Sequence, residues 1–370
     1  MLKIVHLTSV HPRNDVRVFH KECVSLAQFK DLEVSLVVAD GKGNDTLDKV
    51  NILDVGSPKN RLIRIFLSSF LVFMKGLKQK ADIYHFHDPE LIFYGFLLKI
   101  FGKKVVFDIH EFSYVQIRHK SWIPSYLRKP ISIFYKFIED FFCSRFDLLV
   151  VPQDEMRDYY LKINSNVITA FNYPSKKDLI KIQQLPDFET RAKNLIYVGA
   201  LSNDRGFDNM IKLIEELYSR DSSYTLYIAG KYSEQQLGVV ESSPAKSAIK
   251  LLGFLDRNSI REILLHCGWG LILFNNVGQY YMANALKMFE YMSVGQILLT
   301  PNFGNWKSLN EKFNIGFNVN VNDAIEISNK ICSVDNHLYE AFSRRNIDLV
   351  NKYFIWESEV DKIYNAYRNI

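Results

Sequence analysis

The chain has 370 residues, which is more than one hydrophobic core usually supports, so we expect two domains. With 48% hydrophobic and 24% charged residues, its composition is that of a folded globular protein. The formal net charge of +5 is modest and no basic stripe stands out, which argues against nucleic acid as a partner.

The amino terminus and the cysteines indicate a cytoplasmic protein. The first residues run directly into a strand-like pattern without a charged leader or a cleavage site, and no apolar run reaches the roughly 18 residues of a transmembrane helix. The four cysteines are far apart in sequence, which favours reduced, buried thiols over disulfides or a zinc site.

Strand-length apolar runs alternate with longer amphipathic stretches up to about residue 170. This alternation predicts a parallel, doubly wound sheet in a first domain over residues 1–175. The predicted strands are Lys3–Leu7, Glu33–Ala39, Val50–Val55, Asp82–Phe86, Lys104–Ile109, Asp147–Val151 and Val167–Phe171.

The first loop, Thr8–Arg17, places polar and basic groups between a buried strand and a helix. It contains no glycine, so close approach of its backbone to a phosphate is not expected. We assign Asn14, Asp15 and Arg17 either to substrate binding or to capping of the helix, and we favour capping for Asp15.

Two stretches of the first domain, 59–80 and 118–136, combine cations with large apolar side chains. This combination suits a helix resting on an anionic bilayer, and the alternative is a core-packing helix with solvated lysines. Core packing is favoured for the first stretch, whereas both alternatives stay open for the second. The residues of the second stretch assigned to membrane contact are Trp122, Tyr126, Arg128 and Lys129.

The segment 85–90 contains two histidines and two carboxylates. His85 and His87 alternate on a predicted strand and so share a face, and Asp88 precedes a proline, as is common at the start of a helix. Because the spacing fits no standard ligand pattern, we predict no metal site.

The segment Asp108-Ile-His110-Glu111 ends a strongly apolar strand. Ligands bind at the carboxyl ends of parallel strands, so His110 and Glu111 are expected at a functional site. A histidine in this position either donates to a substrate or holds structure, and the residues alone leave both roles open.

A polar segment with two prolines, within residues 172–193, predicts an interdomain linker. A second alternating series over residues 190–350 predicts a second domain, and residues 351–370 contain a last helix, Tyr353–Arg368. Two such domains joined by a hinge leave a cleft, which is a favoured place for a ligand. The predicted strands of the second domain are Asn194–Gly199, Tyr224–Ala229, Ile249–Phe254, Trp269–Phe274 and Gln296–Thr300.

The loop that begins at Gly199 follows the first strand of the second domain and opens the next helix. Its backbone amides and the helix dipole suit an anion, and Arg205 adds a cation that can pair with phosphate. The alternative is an ordinary turn with a solvated arginine. Gly253 lies near the end of the third predicted strand of this domain, and we assign it with Gly199 and Arg205 to the same ligand.

The segment Lys287–Pro301 predicts a short helix that ends at Gly295 and is followed at once by a buried strand. Lys287 and Glu290 are three residues apart and share a face of that helix. A cation beside a carboxylate suits a nucleotide, because phosphates attract positive charge and ribose hydroxyls need an acceptor. A surface ion pair is the alternative.

This segment resembles the Lys-x-Phe-Glu-Tyr-Met-x-x-Gly motif of the retaining, two-domain (GT-B) glycosyltransferases called glycosyltransferase family 4, and the resemblance covers nearly the whole chain. It implies that Glu290 contacts the ribose of a sugar nucleotide and that Arg205 meets the diphosphate. It further implies catalytic roles for His110 and Glu111 near the transferred sugar, and a last helix that packs back on the first domain. The loop residues Asn14, Asp15 and Arg17 then belong to the acceptor side.

Two positions depart from the family pattern. Met282 occupies the position of a second glutamate, which lies near the donor sugar in many members. Ala200 replaces a second basic residue at the diphosphate, a role that we assign to Lys287.

The resemblance implies an α/β fold of two Rossmann-like domains facing across a cleft, and a retaining, hexosyltransferase-type enzyme. No Asp-x-Asp occurs in the chain, whereas the other major glycosyltransferase fold usually binds a divalent metal through that motif, so we predict metal independence and no cofactor. The expected donor is a nucleoside diphosphate sugar, with UDP favoured over GDP. The expected acceptor is a glycan or lipid-linked oligosaccharide of capsule, O-antigen or other surface polysaccharide assembly, at the inner face of an anionic membrane.

Two alternatives remain open: a nucleotide-sugar epimerase, which uses the same donor without an acceptor, and a non-catalytic sugar-nucleotide binding protein. A dinucleotide oxidoreductase is disfavoured, because neither half has a Gly-x-Gly-x-x-Gly turn after its first strand.

Overall fold

A computed structural model of the chain describes residues 1–118, 120, 123–179, 185–281 and 285–370. The chain divides into two compact units. The first comprises Met1–Asn172 together with Trp356–Ile370, and the second comprises Tyr173–Ile355. Trp122, Met282 and residues 180–184 of the predicted linker lie outside the described residues.

Each unit is built on one sheet. The strands of the first unit are β1 (Leu2–Leu7), β2 (Leu32–Val38), β3 (Asp45–Leu47), β4 (Val50–Asp54), β5 (Ile83–Phe86), β6 (Lys104–Asp108), β7 (Leu148–Val151) and β8 (Val167–Thr169). The strands of the second unit are β9 (Asn194–Val198), β10 (Thr225–Ala229), β11 (Ile249–Gly253), β12 (Trp269–Leu271), β13 (Ile297–Pro301) and β14 (Gly316–Val319).

Helices connect most of these strands, with π-helical turns at Val16–Cys23 and Arg64–Ser68. The α-helices are α1 (Val24–Leu26), α2 (Arg61–Ile63), α3 (Ser69–Leu77), α4 (Ile92–Ile100), α5 (Ser113–Ile117), α6 (Ser125–Cys143), α7 (Asp154–Tyr160), α8 (Phe188–Arg191), α9 (Phe207–Arg220), α10 (Glu234–Ser242), α11 (Arg257–Leu265), α12 (Leu286–Ser293), α13 (Gly304–Phe313), α14 (Ala324–Cys332), α15 (Asn336–Tyr353) and α16 (Trp356–Arg368). Among the helices of the described residues, none combines the length and the apolar character that crossing a bilayer requires.

Both sheets are parallel, as predicted, apart from one antiparallel edge. The strand order is β3-β4-β2-β1-β5-β6-β7-β8 in the first unit and β11-β10-β9-β12-β13-β14 in the second, and only β3 pairs antiparallel among these strands. The strands between the edges are buried on both faces because helices cover both, which explains their continuous apolar sequences. The carboxyl ends of the parallel strands in each sheet therefore lie at one edge.

The two faces of the first sheet have separate cores, because successive side chains of a strand point to opposite faces. One core packs Val106 of β6 with Trp356 of α16, and the other packs Phe107 of β6 with Val72 of α3. The helix α16 is fixed to the first unit by the Trp356 indole, whose Nε1 donates to the Lys21 carbonyl oxygen at 2.8 Å. It begins at Trp356 rather than at the predicted Tyr353, because α15 extends to Tyr353.

The predicted strands occur with ends shifted by one or two residues, except that β12 ends at Leu271 instead of Phe274. Residues 272–274 stay buried, so their apolar pattern reports burial rather than sheet pairing. Two strands were not predicted. In β3 all three residues are exposed, and β14 is short and begins with a glycine, so neither has an apolar run.

The prediction of core packing for residues 59–80 holds for one side of the helical stretch only. Val72 and Phe73 are buried against the sheet. On the opposite side, Leu62, Phe66 and Phe70 are exposed. The stretch therefore carries apolar side chains on both sides.

Candidate active site

Three loops pack against one another through glycines at the carboxyl edge of the second sheet. A Cβ on Gly230, after β10, would lie 1.9 Å from the Gly199 carbonyl oxygen, so only glycine fits there. The Gly230 amide donates to the Gly253 carbonyl oxygen at 2.8 Å. Gly199 and Gly253 are thus brought together as predicted, whereas sequence reasoning missed Gly230, whose signal is its position directly after a strand.

The turn into α9 positions Arg205. Gly206 adopts the left-handed conformation (φ 81°), and a Cβ there would lie 2.0 Å from the Leu273 carbonyl oxygen. The Ser202 hydroxyl accepts from the Arg205 amide at 3.3 Å. Arg205 Nε donates to the Tyr280 hydroxyl at 3.1 Å and Nη1 to the Ala200 carbonyl oxygen at 3.3 Å. The guanidinium is half-buried, and neutral groups rather than carboxylates accept these bonds.

Lys287 places a second cation at the same edge. Its Nζ is buried and has no hydrogen-bond partner among the described residues. It lies 3.7 Å from the centroid of the Tyr197 ring, and a Cβ on Gly199 would be 2.9 Å from it. Burial, assisted by nearby Arg205, lowers the pKa of Lys287 to about 7, although Glu290 acts in the opposite direction. Such an ammonium group is stabilised by any anion that reaches it.

The helix α12 holds Lys287 and Glu290 through its buried side. Met288, Phe289 and Tyr291 are buried, and the Tyr291 hydroxyl accepts from the Val198 amide of β9 at 2.8 Å. The helix is therefore anchored to the central strand of the sheet, and Lys287 and Glu290, which are only half-buried as residues, lie beside this anchored side.

Glu290 lines an open pocket of the second unit. The pocket is also lined by Arg257, Arg261 and Ser293, and Arg257 is paired with Asp178 at 2.6 Å. The half-buried Glu290 thus borders a space whose walls are polar, cationic and, at Ile260 and Leu264, apolar, and which can receive a polar ligand group such as a hydroxyl.

Asp108 is the centre of a buried cluster at the carboxyl edge of the first sheet. Arg17 pairs with it through two bonds, Nη2 to Oδ1 at 2.8 Å and Nε to Oδ2 at 3.1 Å. His110 Nε2 and His87 Nδ1 lie 2.7 and 3.2 Å from Oδ2. Burial alone raises the pKa of Asp108, but Arg17 and the two histidines outweigh it and hold that pKa well below its usual value. Asp108 orients the His110 ring through Nε2 and leaves Nδ1 available.

The three predicted residues of the first loop have different surroundings. Asp15 caps the following helical turn, as predicted, because its Oδ1 accepts from the amides of Arg17 and Val18 at 2.8 Å. Asn14 is exposed, and so is Glu111 next to His110. The Arg17 side chain is buried against Asp108 and Glu22, so the structure gives it a positioning role, and its acceptor-side role stays a prediction.

Histidines from separate strands meet behind this cluster. Ligand atoms of His6, Glu22, His85 and His87 lie within 4.8 Å of one another, and so do those of His87, Asp108 and His110. In the second group the atoms hydrogen-bond to each other. In the first, His6 Nδ1 is bonded to His87 Nε2 at 2.9 Å, and His85 Nδ1 is bonded to the Tyr367 hydroxyl. The absence of metal stays a prediction that requires a direct test.

Of the residues predicted to contact a membrane, Tyr126 and Lys129 are exposed. The Arg128 guanidinium donates to the Ile123 carbonyl oxygen at 2.8 Å. Trp122 lies outside the described residues.

Two family models match the chain along most of its length. Residues 16–169 match the model described as Glycosyltransferase Family 4, and residues 180–337 match the model described as Glycosyl transferases group 1. The chain belongs to the group 1 glycosyltransferases with the GT-B fold, so the predicted family and fold class are confirmed.

Solved structures show the same fold at low sequence identity. A sucrose-phosphate synthase from Thermosynechococcus elongatus superposes with a TM-score of 0.72 at 13% identity, covering 100% of this chain and 99% of that one. Anabaena HepE, in complex with UDP and glucose, superposes with a TM-score of 0.70 at 13% identity over 100% of both chains. An E. coli trehalose-6-phosphate protein bound to UDP-2-fluoro glucose gives 0.71 at 13% identity, covering 100% of this chain and 99% of that one. No curated protein shows a significant sequence match.

Proposed function

We propose that this glycosyltransferase moves a hexose from a UDP-sugar to a glycan hydroxyl with retention of anomeric configuration. The observation that carries the donor assignment is the buried Nζ of Lys287, which has no hydrogen-bond partner among the described residues and lies near Arg205, whose side-chain bonds go to neutral groups. A diphosphate supplies the missing negative charge. UDP is favoured over GDP because the structures of HepE and of the E. coli protein contain UDP or a UDP-sugar.

In this proposal Arg205 and Lys287 bind the diphosphate and Glu290 accepts hydrogen bonds from the ribose. Close packing of Gly199 against Gly230 keeps a side chain out of one loop that the nucleotide approaches, and Gly253 adopts a positive φ of 66°, which favours glycine. The two cations also stabilise the charge that develops on the diphosphate as the bond from the sugar to phosphate breaks. They therefore act more strongly in the transition state than in the ground state, as catalysis requires.

We assign His110 to the transferred sugar, with Asp108 and Arg17 as positioning residues. The pairing of Nε2 with Asp108 presents Nδ1 of His110 to sugar hydroxyls or to charge developing near the anomeric carbon. For retention, the acceptor oxygen bonds to the anomeric carbon on the face that the diphosphate leaves. The leaving phosphate oxygen takes the acceptor proton, so no protein nucleophile is needed.

We assign the acceptor side to Glu111, Asn14 and Asp15. Arg17 acts there as a positioning residue. Glu111 and Asn14 are exposed and can reach sugar hydroxyls. We propose as acceptor a glycan or lipid-linked oligosaccharide of surface polysaccharide assembly, and as location the cytoplasmic face of an anionic membrane.

Thermal denaturation with nucleotides tests the donor assignment. UDP should raise the melting temperature more than GDP, ADP, CMP or NAD, because a ligand at 100 times its Kd adds about 2.7 kcal/mol to the stability of the folded state. Equal shifts with all five would contradict a specific donor site. Release of UDP that requires an added acceptor supports transfer, whereas conversion of a UDP-sugar to its epimer without an acceptor would support the epimerase alternative instead.

Metal independence is proposed because two cations of the protein already serve the diphosphate. Activity should therefore persist after dialysis against excess chelator, and metal analysis should find no stoichiometric ion. Loss of activity that magnesium or manganese restores would contradict the proposal. A tightly held ion that leaves activity unchanged would point to the buried histidines rather than to the donor.

A further inference from the structure

The helix α6 has an inverted arrangement of polar and apolar side chains. Its inner side buries Ser132 and Glu139, whereas Phe134 and Phe137 on its outer side are 66% and 71% exposed. Exposed Phe141 continues this outer row one turn further. A helix of a water-soluble surface shows the reverse pattern, with apolar residues toward the core.

The neighbouring helices extend the apolar surface of α6. Phe66, in the π-helical turn before α3, is 69% exposed, and Phe93 and Ile100 of α4 are also exposed. The Tyr94 hydroxyl of α4 donates to the Phe66 carbonyl oxygen at 3.5 Å. Phe96 of α4 and Phe141 of α6 have ring centroids 6.1 Å apart. We call this continuous surface of α3, α4 and α6 the aromatic face.

The aromatic face joins exposed apolar side chains from several neighbouring helices. Single exposed apolar residues are common in soluble proteins, but contiguous apolar patches larger than a few hundred Å² mark binding surfaces. All three helices belong to the layer that covers one face of the first sheet, so their outer sides point the same way. The sequence had suggested membrane contact for both stretches, but core packing was favoured for 59–80, and the residues assigned in 118–136 were Trp122, Tyr126, Arg128 and Lys129.

The positive charge of the same helical segments favours an anionic partner. Residues 59–80 contain six Lys or Arg and no Asp or Glu, and residues 118–136 contain five and none. Lys59 precedes the first helical stretch and Arg61 begins it, whereas Lys120 precedes α6 and Lys129 is its fifth residue, and all four are exposed. Phenylalanines bordered by cations suit the boundary of an anionic bilayer, where rings enter the acyl region and cations meet headgroups.

We propose that the aromatic face binds the surface of an anionic lipid bilayer. The phenylalanines insert at the headgroup boundary, and the exposed basic residues Lys59, Arg61, Lys120 and Lys129 lie over anionic headgroups. This inference deepens the proposed function, since it rests on an acceptor presented at a membrane, but its test measures vesicle binding and not transfer. Either proposal can therefore fail while the other stands.

Flotation with vesicles tests the proposal on the whole chain. The protein should float with vesicles of phosphatidylcholine and phosphatidylglycerol, and about 1 M salt should release most of it, because the Debye length there is about 3 Å. The double variant Phe134→Gln/Phe137→Gln should bind these vesicles at least about tenfold more weakly, because two apolar side chains no longer leave water.

A matched pair of single variants separates the aromatic face from exposed apolar residues in general. Ile133 of α6 and Ile325 of α14 are both exposed, and Ile325 belongs to the second unit. Ile133→Gln should weaken vesicle binding, whereas Ile325→Gln should not. All variants should keep the wild-type thermal shift with UDP, which shows that they are folded.

Three outcomes would overturn the proposal. Equal binding to vesicles of phosphatidylcholine alone would show that the partner need not be anionic. Equal effects of Ile133→Gln and Ile325→Gln on vesicle binding would show that the aromatic face is not the binding surface. Absence of vesicle binding together with dimers in light scattering, which the double variant makes monomeric, would show that a second copy of the chain covers this surface.

Discussion

The carboxyl edges of the two sheets carry opposite electrostatic arrangements. In the first unit the Asp108 carboxylate is surrounded by Arg17, His87 and His110, whereas in the second the Lys287 ammonium has no hydrogen-bond partner among the described residues. In the first, protein groups already pair with both oxygens of Asp108 and hold a histidine in one orientation. An anion would stabilise the second, so we propose that the first edge orients a catalytic group and that the second binds the donor.

The largest effect is expected from Arg17→Met, which removes the cation that pairs with Asp108. This change leaves the Asp108 charge buried without its cation, which should lower the free energy of unfolding by about 3–5 kcal/mol. Urea denaturation measures the loss. Arg344→Met, at an exposed pair with Glu340, is the control and should change stability by less than about 0.5 kcal/mol. If the free energy of unfolding falls equally little in both variants, the Asp108 cluster does not stabilise the first unit.

A second test asks whether His110, which Asp108 orients, serves catalysis. His110→Ala should lower kcat by roughly a hundredfold or more, as loss of one well-placed donor does, while UDP affinity stays nearly unchanged. His20→Ala, at an exposed position of the first unit, should keep normal turnover. Normal turnover of His110→Ala with a lowered melting temperature would make His110 a structural residue and leave the first edge without a catalytic group.

At the second edge, Arg205→Ala should weaken UDP binding by about 1.5–3 kcal/mol, the value of a hydrogen bond to a charged group, and should leave uridine binding unchanged. Calorimetric titration with both ligands measures the difference. Arg220→Ala is the control, because Arg220 lies at the other end of α9 and pairs with Glu216. An equal loss of affinity for uridine would place Arg205 away from the diphosphate.

Counted per pH unit, the change of UDP affinity with pH should be the smallest effect. In the free protein the pKa of Lys287 is about 7, below the ordinary 10.5, and bound diphosphate keeps the ammonium protonated. Above pH 7 binding must therefore recruit a proton, and affinity should fall by up to about tenfold per pH unit. The unliganded protein shows the opposite sign, because its unfolded state binds more protons, so Lys287 makes folding stability rise with pH above 7. A pH-independent affinity between pH 7 and 9 would argue against contact of Lys287 with the diphosphate.

Features within one segment of the chain could be predicted from sequence. Apolar runs marked the strands, and a three-residue spacing placed Lys287 and Glu290 on one side of α12. The capping by Asp15 also follows from local chemistry, since a short acidic side chain before a helix accepts from its first amides.

Features that join distant segments could not be predicted in this way. Asp108 appeared in the predicted motif only as a neighbour of His110, because nothing local indicates that Arg17, 91 residues earlier, binds it. Tyr197 below Lys287 and Gly230 against Gly199 likewise depend on the order of strands in the sheet. The extent of the aromatic face could not be predicted either, because sequence period does not tell which side of a helix meets the sheet.

Binding of UDP and of uridine to Lys287→Met tests the central claim most directly, because methionine keeps the apolar stem and removes only the charge. Exposed Lys307→Met is the matched control. The account predicts at pH 7 a loss of about tenfold or more in UDP affinity, an unchanged uridine affinity and an unliganded protein at least as stable as the wild type. Wild-type UDP affinity in Lys287→Met would contradict the account, since the buried ammonium would then have no role in binding the donor.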